Sequence, residues 1–183
     1  APQFDKIRTK DYLPAFRQTI AEEKAEIDAI VANPEEPTFE NTILALEQAG
    51  RGFSRVAGIF YNLMEADTDD RMQEIAEEIS PMTTELSMYI SLNEKLFERI
   101  KCVYDGRDSL NLDADQAKLL EDTYKEFARN GALLSPEDKE AYSKLAEELS
   151  LTQLQYGKNL RAATNGYTLH LKDISDLAGL PPY

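Results

Sequence analysis

Apolar residues recur every three to four positions along nearly the whole chain, and prolines, glycines and acidic turns interrupt them where helices should end. Such a chain can do little but stack helices. The first helix is expected to start near Leu13, with Pro14 in its first turn and Phe16, Ile20, Ile27 and Val31 on one face, and to stop at Asn33-Pro34. Pro34 and Pro37 stiffen the connector, after which Thr38 can cap a helix carrying Ile43, Leu46, Phe53, Val56, Phe60 and Leu63. Gly50, Gly52 and Gly58 each weaken that helix by up to about 1 kcal/mol relative to Ala, so they mark a bend or the close approach of a neighbour. Asp67 to Asp70 provides an acidic turn and an N-cap for Ile75, Ile79, Met82, Leu86, Ile90, Phe97 and Ile100. Pro81 interrupts that run and predicts a kink or break at Ser80-Pro81, before Asp105-Gly106-Arg107-Asp108 closes the element.

Asp113 and Gln116 have capping-box spacing ahead of Leu119, Leu120, Tyr124 and Phe127, and Asn130-Gly131 is a stop. Ser135-Pro136-Glu137-Asp138 then opens a long helix with a cap, a first-position proline and two acids at the positive end of the dipole. Tyr142, Leu145, Leu149, Tyr156 and Leu160 share one face of it, and a run to about Ala163 would span about 40 Å. Only Tyr167-Thr168-Leu169-His170-Leu171 alternates with period two, predicting a short strand after an Asn165-Gly166 turn. The expected fold is therefore all-α, a multi-helix bundle of long antiparallel helices with a short orphan strand near the C-terminus. Because one strand makes no sheet, and the ending Leu177-Ala178-Gly179-Leu180-Pro181-Pro182-Tyr183 is apolar and unfinished, the chain is expected to be cut from something longer.

Of 183 residues, 34 are acidic and 20 basic, a net charge of −14, with one His, one Cys and no Trp. A His-Glu-x-x-His zinc motif needs two histidines, a structural zinc site several Cys and His, and a disulfide a second Cys. None can be built within this sequence. Phosphate neutralisation needs clustered Lys and Arg, so nucleic acid and anionic membrane surfaces are disfavoured as partners. No apolar run approaches the roughly 20 residues that span a bilayer, and Ala1-Pro2-Gln3 has neither the basic start nor the apolar stretch of a signal peptide. A start at Ala rather than Met suggests a processed or trimmed product. With 42% apolar residues the chain can fill a core without staples.

The remaining chemical candidates are weak. Asp67, Asp69, Asp70, Glu74, Glu77 and Glu78 form the densest acidic run, but Arg71 stands where a calcium loop needs an oxygen ligand, so they are expected to cap and coat a helix. Glu22 with Glu23, or Glu147 with Glu148, could supply acid and base, but adjacent helical residues diverge by about 100° and do not converge on one substrate atom. Cys102 is expected to be a packed or idle thiol, and His170 to be exposed or to face a partner. Tyr89, Tyr124, Tyr142 and Tyr156 suit a core or groove better than a platform for bases. Gly50-Arg51-Gly52 lies inside a helical pattern, the wrong context for a phosphate cradle.

Several phrases, in order and spacing, carry a resemblance that covers essentially the whole chain. They are Phe4-Asp5-Lys6-Ile7, Asp11-Tyr12-Leu13-Pro14-Ala15-Phe16, and Asn33-Pro34 leading into Pro37-Thr38-Phe39-Glu40-Asn41-Thr42-Ile43. Leu44-Ala45-Leu46-Glu47, Phe127-Ala128-Arg129-Asn130-Gly131-Ala132 with the following Lys139, and Asp176-Leu177-Ala178-Gly179-Leu180-Pro181 complete the set. Together they resemble the N-terminal part of the thimet-oligopeptidase-like zinc metallopeptidases, above all the bacterial peptidyl-dipeptidase branch. The resemblance implies that residues 1–183 are an N-terminal helical domain forming one wall of a deep channel that admits short unfolded peptides. In that family the His-Glu-x-x-His helix, a downstream Glu and the zinc that activates water all lie in the C-terminal part. No catalytic, cofactor-binding or metal-binding residue is therefore assigned to any position here, and the fragment alone is expected to be inactive. The implied partners are the C-terminal catalytic domain of the same chain and short peptide substrates, in a bacterial cytoplasm or periplasm, and an isolated lobe is expected to self-associate through surface the rest would cover. Two readings of other classes stand beside it: a free-standing acidic helical module for a basic or amphipathic partner, and a small carboxylate hydrolase.

Overall fold

A computed structural model describes residues 2–179. Ala1 and the final residues 180–183, with most of the apolar ending, lie outside that range. The chain forms helices α1 (Thr9–Ala32), α2 (Ala45–Gln48), α3 (Arg51–Ala66), α4 (Asp70–Ser91), α5 (Glu94–Asp105), α6 (Ala114–Arg129) and α7 (Pro136–Gly166), packed as a bundle.

Helix α1 starts four residues before the expected Leu13, because the Asp11 carboxylate accepts the Arg8 N–H at 2.9 Å while the Arg8 carbonyl accepts the Asp11 N–H at 2.8 Å. Pro14 thus lies inside the helix rather than in its first turn. The stop at Asn33 is as expected. Past the prolines, Thr38 accepts the Asn41 N–H at 3.1 Å while Asn41 Oδ1 accepts the Thr38 N–H at 2.8 Å, opening a π-helical turn over Phe39–Leu44. Arg99 of α5 ties this connector down, donating to the Asn33 carbonyl at 3.0 Å and to Asn41 Oδ1 at 3.1 Å.

The single helix expected after Thr38 is broken at Gly50, whose φ of 69° is left-handed and begins α3. A Cβ on Gly52 would stand 3.4 Å from Thr19 Cγ2, so that glycine does mark an approach to α1, whereas Gly58 faces open space and marks nothing. Pro81 brings no break. Helix α4 runs through it to Ser91, and the interruption falls at Leu92-Asn93, where the Asn93 side chain accepts the Leu96 N–H at 3.0 Å and caps α5. Burial of Ile75, Ala76, Ile79, Ser80 and Leu86 on both sides of the proline holds the helix through the missing donor, an instance of packing overriding propensity.

Capping by Asp113 and Gln116, the stop at Asn130-Gly131 and the cap at Ser135 all form as the sequence predicts. Helix α7 continues past Ala163 through Asn165 and Gly166, about 46 Å at 1.5 Å per residue, so the expected turn there is helical instead. Tyr167 to Leu171 is not a strand. Tyr167 has an extended backbone, but no described segment lies alongside to pair with it, and without a ladder the alternation yields only a coil leading to a short 3₁₀ turn over Ile174–Leu177.

The core is two clusters strung along α1. Tyr12 and Phe16 pack with Phe60, Met64, Met72, Ile75 and Ile79 of α3 and α4, with Phe16 and Phe60 edge to face at 5.5 Å. Ile27 and Ile30 pack with Phe39, Ile43, Leu96, Phe97, Ile100, Leu120 and Phe127. Helix α7 joins neither cluster as a full member. It lies against α4 through Ser143, Ala146, Ser150, Leu154 and Gly157, and Thr84 donates to Ser150 Oγ at 2.8 Å. The expected apolar face of α7 points outward: Leu145, Leu149, Tyr156 and Leu160 are 64%, 57%, 68% and 54% exposed. In urea melts of the chain, Phe16→Ala should cost about 3–5 kcal/mol, and Leu149→Ala or Leu160→Ala less than about 0.5 kcal/mol. Gly131→Ala, forced into φ of 96° with its Cβ 2.9 Å from Leu92 Cδ2, should cost about 1–2 kcal/mol in the same melts.

Candidate functional site

A groove of about 580 Å³ lies between α4 and α7. Pro81, Met82, Met88 and Leu92 give it an apolar floor, and Glu85, Glu140 and Glu147 give it an acidic rim. The floor exists because Pro81 is carried within α4 rather than ending it. Met side chains are unbranched and adapt to varied partners. Glu85 pairs with Lys24 at 2.6 Å and Glu140 with Lys144 at 2.7 Å, leaving Glu147 as the rim carboxylate with no ion pair among the described residues. Tyr89, at the groove wall, donates to the Asp28 carboxylate of α1, and that bond holds its phenol protonated above the usual range.

The carboxylate candidates separate as their helical spacing requires. Glu22 is exposed while Glu23 turns inward beside Gly50, and Glu147 and Glu148 both face solvent. The acidic run is a cap and a coat: Asp69 accepts the Met72 N–H at 2.7 Å, Arg71 pairs with Glu74 at 2.8 Å, and Glu77 with Lys158 at 3.3 Å. Gly50 does begin a helix, contrary to its expected place inside one, but Glu26 Oε2 accepts its N–H at 2.8 Å. With Glu23 alongside, that helix start is already met by carboxylates and repels phosphate.

The tyrosines divide. Tyr124 stacks on Tyr104 at 3.9 Å and on Phe97 at 5.7 Å, Tyr142 is half-buried, and Tyr156 is exposed on the outer stripe of α7. Cys102 and His170 are both exposed, Cys102 on α5 and His170 in the coil after α7. Zinc does not fit these residues. The sequence offers one imidazole and one thiol, and among the described residues no three His, Cys, Asp or Glu side chains are grouped to hold a metal. Likewise, no helix among them is long and apolar enough to cross a membrane.

Sequence reasoning missed the orientation of α7. The uncharged stretch from Leu149 to Gly157, in a chain with 30% charged residues, was the signal that could have shown it.

Glu23 carries the one raised carboxylate in this region. Burial comes first and the neighbouring Glu26 second in pushing its pKa up, and its Oε2 is buried without a hydrogen-bond partner. A raised acid pKa means that the ionised group opposes folding above that pKa and ceases to do so when protonated. Glu23→Gln should accordingly raise the melting temperature at pH 7, and the gain should vanish by about pH 4. An unchanged melting temperature at pH 7 would show that burial costs this carboxylate nothing.

No protein-family model matches the chain. Over 180 residues it is 39% identical to dipeptidyl carboxypeptidase of Escherichia coli, covering 98% of this chain and 26% of that protein. It is 26% identical to oligopeptidase A of Salmonella typhimurium, again over 98% of this chain and 26% of the relative. A thimet-like oligopeptidase of Dictyostelium discoideum is 24% identical over 129 residues, 69% of this chain and 19% of that one. The chain thus spans about a quarter of the length of the dipeptidyl carboxypeptidase and oligopeptidase A relatives.

Proposed function

We propose, from similarity over 98% of its length to dipeptidyl carboxypeptidase and oligopeptidase A, that this chain, residues 1–183, is the N-terminal helical domain of a longer zinc metallopeptidase. The observation that carries the proposal is the pairing of 98% coverage of this chain with 26% coverage of the relative. On this reading the zinc, the activated water and the acid–base groups belong to the remainder of the parent, in keeping with a sequence that holds one His and one Cys. Its own task is mechanical. It walls the substrate channel and restricts entry to short peptides, from whose C-termini the parent releases dipeptides.

The packing suits that task. A size filter must cost more to deform than a substrate gains by binding. Helix α1 is pinned in two clusters, and the proline connector is clamped by Arg99.

Intact mass and peptide sequencing of the native polypeptide test this directly. The expected result is a chain several times longer than 20.7 kDa that contains His-Glu-x-x-His, with the isolated 183 residues binding zinc substoichiometrically and hydrolysing no peptide. One-to-one zinc with activity in the isolated chain would overturn it.

The α4–α7 groove favours a second reading, a free-standing module that docks a basic amphipathic helix on the Met82 and Met88 floor. That reading requires a native product ending near Tyr183 and binding that weakens with salt and with Glu147→Lys.

A further inference from the structure

Helix α7 has two faces that a globular helix would bury, and only one of them is met. The face toward α4 carries Ser143, Ala146, Ser150 and Gly157, small enough for close approach. About 120° round the helix, Leu145, Leu149, Thr152, Tyr156, Leu160 and Ala163 form an exposed stripe whose steps of three and four residues match the turn of a straight α-helix. Charge is excluded from this part of the chain. From Leu149 to Gly157 there is no Asp, Glu, Lys or Arg, and after Arg161 none recurs until Lys172. Charged side chains are concentrated instead on the opposite flank, as Glu140 and Lys144, Glu147 and Lys158.

A surface helix with one solvent-facing side keeps charges there, whereas depletion of charge around aliphatic and aromatic residues marks the centre of an interface. The apolar character continues past the helix through Tyr167, Leu169 and Leu171, all exposed, toward the end of the chain. Three quarters of each dipeptidyl carboxypeptidase or oligopeptidase A relative lies outside the match, so much more polypeptide is available to cover this face than the chain itself contains.

We infer that the outer stripe of α7 is the seam on which the parent's remaining polypeptide packs, so that α7 becomes an interior helix shared by the two parts. This rests on the proposed parent enzyme. Its occupant is a segment of the same polypeptide downstream of Tyr183, presenting an apolar face to Leu149, Tyr156 and Leu160. The groove between α4 and α7, on the charged side of the helix, stays open to solvent in the assembled protein.

Cysteine labelling in the full-length parent tests the seam. Leu149→Cys and, separately, Lys144→Cys are placed in a Cys102→Ser background, and maleimide labelling of each site is followed by mass spectrometry in native buffer and in urea. The expected result is labelling at position 149 at least about tenfold slower in native buffer than in urea, at all protein concentrations, with position 144 slowed by less than about threefold. Native labelling at 149 within threefold of the urea rate overturns the seam and leaves the parent-enzyme reading intact. Protection that disappears on dilution assigns the face to a second copy and also overturns it, as does equal protection at 144. A native polypeptide of 20.7 kDa overturns the parent-enzyme reading itself, a result that intact mass gives independently of any labelling.

Discussion

Helix α1 cannot be moved without disturbing both halves of the core, because Phe16 near its start and Ile27 near its end are fully buried in different clusters. Each cluster alone is small. One sets edge-to-face aromatics of α1 and α3 against Met72, Ile75 and Ile79 of α4, and the other packs aliphatic residues of α1 on rings stacked between α5 and α6. Twenty-four residues of continuous helix make them one body, since any tilt that loosens Phe16 from Phe60 also shifts Ile27 against its neighbours. The Arg99 guanidinium extends this constraint to the proline connector, satisfying carbonyls that the prolines leave without helical partners.

Helix α7 is held differently. Its attachment to α4 relies on small residues, a hydroxyl relay from Thr84 through Ser150 to the Ala146 carbonyl, and the exposed Lys158–Glu77 ion pair, while the largely covered Lys139 side chain reaches Glu94 of α5. Exposed pairs contribute little, with typical values up to about 1 kcal/mol. The best apolar residues of the helix are spent outward. Among the described residues the outer stripe of this helix is left to solvent, and the dipeptidyl carboxypeptidase that the chain resembles is about four times as long.

Resemblance to peptidases was legible in words and order, not in chemistry. The phrases around Asp11 to Phe16, Pro37 to Ile43 and Phe127 to Ala132 mark places where the fold makes exacting demands: Tyr12 and Phe16 in one cluster, Phe39 and Ile43 in the other, and Gly131 in a left-handed turn. Those residues serve packing and backbone geometry, so they carry a resemblance without revealing a reaction. The acidic runs, by contrast, resolve into caps and coats, and Cys102 and His170 into solvent-exposed side chains.

The sequence by itself determined the helical class, the caps at Thr38, Asp113 and Ser135, and the stop at Gly131, because these depend on hydrogen bonds and backbone angles within a few residues of one another. With one His and one Cys it also excluded a His-Glu-x-x-His motif and a disulfide within these 183 residues. Tertiary structure decided whether Pro81 breaks a helix, since burial on both sides of it outweighs one lost backbone donor. It decided that Tyr167 to Leu171 finds no partner among the described residues, since a strand exists only where a second edge lies beside it. Above all it decided which side of α7 faces in. Periodicity shows that a helix has an apolar stripe, but whether the chain itself covers that stripe depends on what else is close enough to reach it, and α4 meets the other face.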